Sequence, residues 1–482
     1  MDKKNNYKMR ILHINTYQTG GAALCALRIS NALRDKGINS CFVAAEGNNS
    51  KYINVVPEDK YNWSKSRTLR FVQRCKYIIK PLKTRKFKIE KSKVLNEQKY
   101  PIFTTLPCNN YKNLINHPWI KEADIIHLHW IANFIDFKSF FKHINKPIVW
   151  TLHDENPLMG CFHYTNSYKL ASQELIKFEN KCIKYKQKAL KNKSNINIIA
   201  ISKSMEKQIT QNSLLKKYKC TLINNGVDIN KFERKDKNEI KTKLGLTNYN
   251  KIFLFSAFNI HEKRKGLKEL IEALEKLNIP NSILICIGNY NEIPKTAINI
   301  KCVGFINDEN ELSKYYSAAD YFVMPSYQEA FAQTPLEAMS CGTPVIAFPC
   351  SGTEDLVKGY NGVICNDFTV DALIEGIKVA LTRKNDSNII RKYIEENFSY
   401  DIIAQKYIDL YQTILNENGI TESKEPFSVL DDDFYKQQNL QKEQAKNDNK
   451  IFDKIDKKKE IIMISLKHPR FFAGWIKSKI FK

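Results

Sequence analysis

Pro325-Ser326-Tyr327-Gln328-Glu329-Ala330-Phe331-Ala332-Gln333-Thr334-Pro335-Leu336-Glu337-Ala338-Met339 is the stretch that decides the fold. It follows a short apolar run, Tyr321 to Met324, of strand type, and it opens onto a helix-forming run. Thr334 suits the N-cap of that helix, Pro335 its N1 position and Glu337 its N3 position. A helix that starts at the end of a strand offers free backbone N–H groups, a site for phosphate. Glu329 in the loop and Glu337 on the first turn, eight residues apart, then flank the anion site and can accept hydrogen bonds from sugar hydroxyls without a metal. Thr334-x-x-Glu337 is also a capping box, and spacing alone leaves both readings of Glu337 open.

The same strand–turn–helix unit opens the chain. Arg10 to Asn15 reads as a strand, Thr19-Gly20-Gly21 as a glycine turn, and Ala22 to Lys36 as an apolar-periodic helix. Strand-like runs follow at Ile125–Leu128, Ile148–Leu152 and Ile196–Ala200, with a helical stretch from Tyr168 to Lys191. After Asn225-Gly226 a second series begins, with strands at Ile252–Phe255, Ile283–Ile287, Tyr321–Met324 and Val345–Phe348. Leu267, Leu270, Ile271, Leu274 and Leu277 form one helical stripe, and Asp308 can cap a helix burying Leu312 and Tyr316. Two alternating series imply an α/β protein of two Rossmann-like domains facing a cleft. The expected layout is a first domain over 9–222, a second over 223–399, a returning helix over 400–416, a polar linker over 417–453 and a basic aromatic tail over 454–482.

Several segments together carry a family resemblance. Glu329-x7-Glu337 followed by Cys341-Gly342-Thr343-Pro344-Val345 resembles the signature of retaining GT-B glycosyltransferases of family 4. Thr151-Leu152-His153-Asp154 with Cys161-Phe162-His163-Tyr164 resembles the acceptor-domain motif of members that build bacterial surface polysaccharides. Ile223 to Asp228 is similar to the family's interdomain segment, and Lys265-Gly266 to its phosphate-lysine motif. The resemblance implies that Glu337 holds the ribose hydroxyls of a nucleotide sugar and that Glu329 contacts the transferred sugar. Backbone donors from Ala330, Phe331, Ala332 and Gln333 would surround it, with Thr334 part of the nucleotide-sugar site. Lys265 would bind the diphosphate, where charge builds as the leaving group departs, and His153 would stand near the reacting centre. Gly20-Gly21 would let substrate approach the first domain, and Phe305 falls where the family's base-binding loop lies. Two departures stand out: relatives carry Gly-Arg shortly before Lys-Gly, for which Arg264 is the substitute here, and Phe331-Ala332 replaces their Phe-Gly.

Composition bounds what else the chain can be. Its 482 residues, 43% hydrophobic and 11% aromatic, exclude wholesale disorder and suit two or three domains. No run reaches the roughly 20 apolar residues of a membrane span, and Ile11 to Asn15 is too short and polar for a secretory core. The twelve cysteines include no CxxC pair, which fits a reducing cytosol and argues against a zinc module. His127-x-His129 has no acidic or cysteine third ligand beside it and reads as a structural or substrate-lining pair, so no metal and no cofactor is expected. Asp431-Asp432-Asp433 spells the DxD of metal-dependent transferases but lacks flanking strands, and reads as solvated charge.

The net charge of +25 is concentrated: Lys65 to Lys93 holds twelve Lys/Arg against Glu90 alone, and Lys454 to Lys482 holds nine against Asp456 and Glu460. Mixed with Phe71, Ile78 and Ile79 in the first, and with Phe471, Phe472 and Trp475 in the second, these cations suit an anionic membrane surface. No nucleic-acid-binding motif accompanies them. The expected partners are a nucleotide sugar, a glycan or lipid-linked glycan acceptor, and the inner face of the cell membrane. A nucleotide-sugar epimerase of the same fold and an inactive membrane-docked scaffold are the competing readings; intact Glu329, Glu337 and Lys265 argue against the scaffold.

Overall fold

The computed structural model describes residues 9–59, 83–98, 102–420, 425–447 and 450. They form two parallel sheets. The first has seven strands in the order β3-β2-β1-β4-β5-β6-β7: β1 Arg10–Asn15, β2 Asn39–Ala44, β3 Ile53–Val55, β4 Ile125–Leu128, β5 Ile148–Leu152, β6 Ile196–Ala200 and β7 Lys219–Leu222. The second has six in the order β10-β9-β8-β11-β12-β13: β8 Lys251–Asn259, β9 Ser282–Asn289, β10 Ile300–Gly304, β11 Tyr321–Met324, β12 Val345–Ala347 and β13 Gly362–Ile364. Each sheet is wound in both directions from a central strand. The order reverses between β1 and β4 in one and between β8 and β11 in the other, and it is outside the carboxyl ends of such strand pairs that open α/β sheets bind ligands. Most of these strands are buried along their length, as expected where helices cover both faces.

The helix after β1 runs from Gly21 to Asp35 and buries Cys25, Ala26, Ile29 and Leu33. The expected helix from Tyr168 to Lys191 is two pieces, Ser167–Leu170 and Gln173–Leu190, because Ser172 caps the second by accepting from Leu175 N. Asp308 caps Glu309–Ala318 by accepting from Asn310 N, with Tyr316 fully buried and Leu312 half-buried. The stripe of Leu267–Leu277 buries Leu267, Leu270 and Leu274, with Ile271 and Leu277 packed beside them.

The last helix of the two-sheet body, Tyr400–Glu417, returns to the first domain. Tyr400, Ile403, Tyr407, Tyr411, Ile414 and Leu415 pack there with Met9, Ile11, Ile29, Leu33, Val149 and Ile199. The crossing is pinned by Val227 N donating to Phe398 O (2.8 Å) and Tyr400 N to Val227 O (3.2 Å).

The stretch expected as a polar linker differs from that reading. It is helical at 432–447 and docked on the first domain. Trp119 Nε1 donates to Ser428 O (2.9 Å), Ser428 N and Oγ donate to the Glu122 carboxylate (2.8 and 2.6 Å), and Gln438 exchanges amide hydrogen bonds with Asn54 (2.9 and 3.1 Å). Phe427 is buried against Trp119, and Phe434 stands edge-on to His117. Asp431, read as part of a solvated acidic run, caps this helix by accepting from Phe434 N (2.8 Å).

Of the basic segment 65–93, the helix Lys83–Asn96 is described; Phe87 is buried against Phe178 and Tyr185, and Lys91 Nζ donates to Thr104 O (2.6 Å). The rest of that segment before Lys83, and the tail 454–482, lie outside the described residues.

Candidate active site

A cleft of about 810 Å³ separates the carboxyl ends of the two sheets. Gly20, Gly21, His153, Lys265, Phe305, Glu329, Phe331, Ala332, Gln333, Thr334 and Glu337 all line it. Arg264 stands behind Lys265, its Nη1 3.2 Å from Glu329 Oε1, its guanidinium 5.4 Å from the Tyr164 ring of the first domain.

Lys265 reaches the cleft because of its neighbour. Gly266 has φ +75, and a Cβ there would lie 2.0 Å from Pro325 O, so only glycine lets this turn press against the loop that carries Glu329. Lys265 Nζ then sits 2.6 Å from Glu329 Oε1. On the opposite wall Gly20, at φ +90, ends the first turn and starts the helix Gly21–Asp35 at the cleft edge.

The helix carrying Glu337 runs from Gln333 to Ser340, with Ala332 as N-cap and no side-chain cap bond. That corrects the placement of Thr334 at the N-cap, Pro335 at N1 and Glu337 at N3. The helix starts earlier, Thr334 is already helical, and no Thr334–Glu337 capping box exists. Proline still costs nothing at the third helical position, where its missing N–H has no acceptor to lose. No side chain caps the start of this helix, which lines the cleft, and both amide atoms of Gln333 are buried without a hydrogen-bond partner among the described residues.

With the capping role removed, what holds Glu337 is a charge from the other domain. Its Oε2 accepts from Tyr316 OH (3.0 Å), and its Oε1 lies 3.8 Å from Arg28 Nη1, on the first-domain helix. Arg28 also pairs with Glu309, whose other oxygen is 2.7 Å from Lys231 Nζ. Burial pushes the Glu337 carboxyl above the ordinary range, and Arg28 and the Tyr316 hydroxyl oppose that push. Burial likewise works against the Arg28 charge, but Tyr400, Glu337 and Glu309 outweigh it and hold the guanidinium firmly protonated. Sequence reasoning missed Arg28, Glu309 and Tyr316. Arg28 in particular looks like any cation in an amphipathic helix.

Phe258, also missed, is 71% exposed and meets Phe305 edge-on at 5.4 Å; both rings line the cleft. An exposed aromatic pair is a surface on which a nucleobase can stack. Asn225 lines the same cleft and donates from Nδ2 to Phe331 O (3.3 Å), tying the interdomain segment to the loop.

Below His153 lies a histidine cluster. The β1–β4 register sets His13 beside His127, and His129 follows β4. Ligand nitrogens of His13, His127 and His129 fall within 4.8 Å of one another, so the pair read from sequence has a third histidine at hand. Five of the six ring nitrogens are already spent: His127 on Thr151 Oγ1 (2.8 Å) and Tyr411 OH (2.7 Å), His129 on His13 (2.9 Å) and His153 (3.1 Å), and His13 Nδ1 on His129. His127 and His129 are fully buried and do not line the cleft, so the pair is structural rather than substrate-lining. Burial drives His13 down to about 3 and His153 to about 4; His127 and His129, buried and crowded by other imidazoles, are also held well below the usual value. All four rings are therefore neutral near pH 7.

Asp154 and His163 build the wall beside His153. His163 Nδ1 lies 2.6 Å from Asp154 Oδ2, and Trp130 Nε1 donates to the same oxygen (2.6 Å). The loop between them is held by a buried carboxylate: Glu179 accepts from Gly160 N (2.6 Å) and Phe162 N (3.1 Å).

Residues 19–231 match the family described as Glycosyltransferase Family 4, and residues 236–397 match Glycosyl transferases group 1. The chain is 26% identical over 323 residues to an uncharacterized glycosyltransferase of Methanocaldococcus jannaschii, covering 62% of this chain and 78% of that protein. It is 28% identical over 159 residues to the N,N'-diacetylbacillosaminyl-diphospho-undecaprenol alpha-1,3-N-acetylgalactosaminyltransferase of Campylobacter jejuni, covering 31% of this chain and 42% of the relative. It is 27% identical over 243 residues to the capsular polysaccharide biosynthesis glycosyltransferase CapM of Staphylococcus aureus, covering 46% and 62%. Among solved structures, Anabaena HepE in complex with UDP-glucose superposes with a TM-score of 0.54 at 18% identity, over 84% of this chain and all of that one, a likeness of fold.

Proposed function

We propose that this chain, a glycosyltransferase of GT-B type whose first half is similar to Glycosyltransferase Family 4 and whose second half is similar to Glycosyl transferases group 1, moves a sugar from a nucleotide-sugar donor to a lipid-linked glycan in cell-surface polysaccharide synthesis, with retention of anomeric configuration. The observation that carries this reading is the pairing of Lys265 and Glu337 on one cleft, with the uncapped start of the helix Gln333–Ser340 between them. Lys265 and the helix N–H groups suit a diphosphate, and Glu337 suits a ribose diol. The exposed Phe258–Phe305 pair suits a nucleobase.

Bond cleavage leaves a nucleoside diphosphate whose new charge meets Lys265, Arg264 and the helix start, so this chain can stabilise the leaving group without a divalent ion. Glu329 is engaged by Lys265 at 2.6 Å, which makes it a poor covalent nucleophile and a good partner for sugar hydroxyls. In the retaining route proposed here the departing phosphate takes the acceptor proton on the face it leaves, rather than a side-chain base after a covalent intermediate. Support for a lipid-linked acceptor comes from the diphospho-undecaprenol named for the Campylobacter jejuni relative. Among the described residues no helix is long and apolar enough to cross a membrane. We place the enzyme at the inner face of the cell membrane, held by the basic segments 65–93 and 454–482, where such an acceptor is met.

The test is a panel of nucleotide sugars offered with lipid-linked acceptors in EDTA, the product anomer being read by NMR. Transfer with the donor's configuration is expected. Strict metal dependence or an inverted product refutes the mechanism, and turnover of nucleotide sugars without any acceptor points to an epimerase. Co-sedimentation with anionic vesicles in rising salt tests the surface. Binding indifferent both to lipid charge and to changes in the two basic segments refutes it.

A further inference from the structure

His153 ends a file of imidazoles that runs from the cleft into the first sheet. Its Nε2 bonds His129 Nδ1 (3.1 Å), and His129 Nε2 bonds His13 Nδ1 (2.9 Å). The far nitrogen, His13 Nε2, is fully buried and has no hydrogen-bond partner among the described residues. His153 itself lines the cleft and is half-buried, and its remaining nitrogen, Nδ1, is left for the cleft side.

A neutral imidazole carries one N–H and one lone pair, so the file can be ordered in only two ways. If His129 donates from Nε2 to His13, then His153 must donate from Nε2 to His129. His13 then carries its proton on Nε2, a buried N–H with no acceptor. If instead His13 donates from Nδ1 to His129, then His129 donates from Nδ1 to His153. The bare atom at the far end is then a lone pair, and His153 carries its proton on Nδ1. An orphaned buried N–H is the rarer and costlier defect, so the second order is favoured. Nothing opposes it from the side: Asp154, next in sequence, is engaged by His163 and Trp130.

We infer that His13 and His129 are positioning residues that fix His153 as its Nδ1–H tautomer, so that it offers a hydrogen-bond donor, never a proton acceptor, to an oxygen of the bound sugar. The role of the oxygen rests on the proposed function; the tautomer does not. The arrangement gives the fully buried His13 and His129 a part in the reaction although neither lines the cleft.

The tautomer is read directly, on the full chain without substrate, from two-bond 1H–15N couplings of 15N-labelled protein near pH 7, with His153→Gln identifying the signal. An Nδ1–H pattern is expected; an Nε2–H or doubly protonated ring overturns the inference. Two substitutions of similar polarity sharpen it. His129→Asn sets an amide where Nδ1 was and can still donate to His153, so the tautomer and most of the turnover should persist. His129→Gln sets its amide where Nε2 was, faces His13, and should release the His153 tautomer and lower kcat about tenfold, the worth of one hydrogen bond, with little change in donor KM. An unchanged His153 pattern in both variants overturns the inference. Failure of the parent to turn over any nucleotide sugar would refute the proposed function while leaving the tautomer measurement standing.

Discussion

The two carboxylates of the cleft, Glu329 and Glu337, come from one stretch of the second domain yet are neutralised in opposite ways. Glu329 is met by Lys265 at 2.6 Å and Arg264 at 3.2 Å, both from its own domain. Glu337 is buried, and its cation, Arg28, arrives across the cleft from the first domain at 3.8 Å. On the proposed function, the diphosphate end of the site is thus complete in one domain, whereas the ribose end needs both. Opening the cleft would leave the Lys265–Glu329 pair intact and strip Glu337 of its counter-charge, favouring its protonated form. On the proposed function, nucleotide capture and domain closure would be coupled through Arg28.

The largest effect should come from removing either end outright. Lys265→Ala and Glu337→Ala are each expected to lower transfer roughly 30- to 1,000-fold, about 2–4 kcal/mol of lost charged hydrogen bonding in a closed site. Unchanged circular dichroism and Tm would confirm an intact fold. Glu337→Gln should lose nucleotide binding as well, since its amide keeps one acceptor oxygen where the carboxylate had two, while stability should hold because no capping box is broken.

Next in size is Gly266→Ala. Its Cβ would lie 2.0 Å from Pro325 O at a left-handed φ, so a loss of about 2–4 kcal/mol in stability is expected from denaturant titration, with a displaced Lys265. Gly245→Ala, whose Cβ would meet nothing within 4 Å at a similar φ, is the control and should cost only the backbone strain.

Arg28→Met separates the two ends. Nucleotide affinity should fall about tenfold, the size of one partly screened ion pair, and its pH dependence should move. If Glu337 holds the ribose, binding needs its carboxylate; burial already raises its pKa and Arg28 lowers it, so losing Arg28 lets the carboxyl hold its proton to higher pH. The acid limb of affinity is therefore expected to shift upward, with Tyr316, Glu309 and Tyr400 the other titratable groups facing the pair. Calorimetry across pH 5 to 8 checks the sign, in the range where a raised carboxyl titrates. Inorganic pyrophosphate, which has no ribose, should bind the variant as it binds the parent.

The smallest effect belongs to the docked segment. Glu122→Ala removes both bonds to Ser428 and should loosen residues 425–447 by about 1 kcal/mol, seen as faster limited proteolysis there. Turnover on a water-soluble acceptor should be unaltered.

The same division governs how much was legible before the structure. The strands Arg10–Asn15, Ile125–Leu128, Ile148–Leu152, Ile196–Ala200 and Tyr321–Met324 have the bounds their apolar runs suggest, because a fully buried parallel strand writes itself as a continuous run. Lys265 and Glu329 sit in short stretches with turn chemistry of their own, so they too could be picked out locally. Arg28, His13 and Tyr316 could not. Each lies inside an ordinary helix or strand, and only the sheet register and the facing of the two domains give it a partner. Thr334, Pro335 and Glu337 each suit an N-terminal helix position, yet the helix starts earlier, at Gln333 after Ala332, so local cap chemistry alone put its start too late. The docked helix at 432–447 was masked by polar composition, its contact resting on Phe427, Phe434 and amide pairs rather than an apolar stripe.

The central claim, that a nucleoside diphosphate lies between Lys265 and Glu337, is tested most directly by titrating nucleoside diphosphates into the parent, Lys265→Ala and Glu337→Ala by calorimetry in EDTA. One diphosphate should bind per parent chain at undiminished affinity in EDTA, and its affinity should drop at least about 30-fold in each variant. Equal affinity in all three proteins would contradict the account.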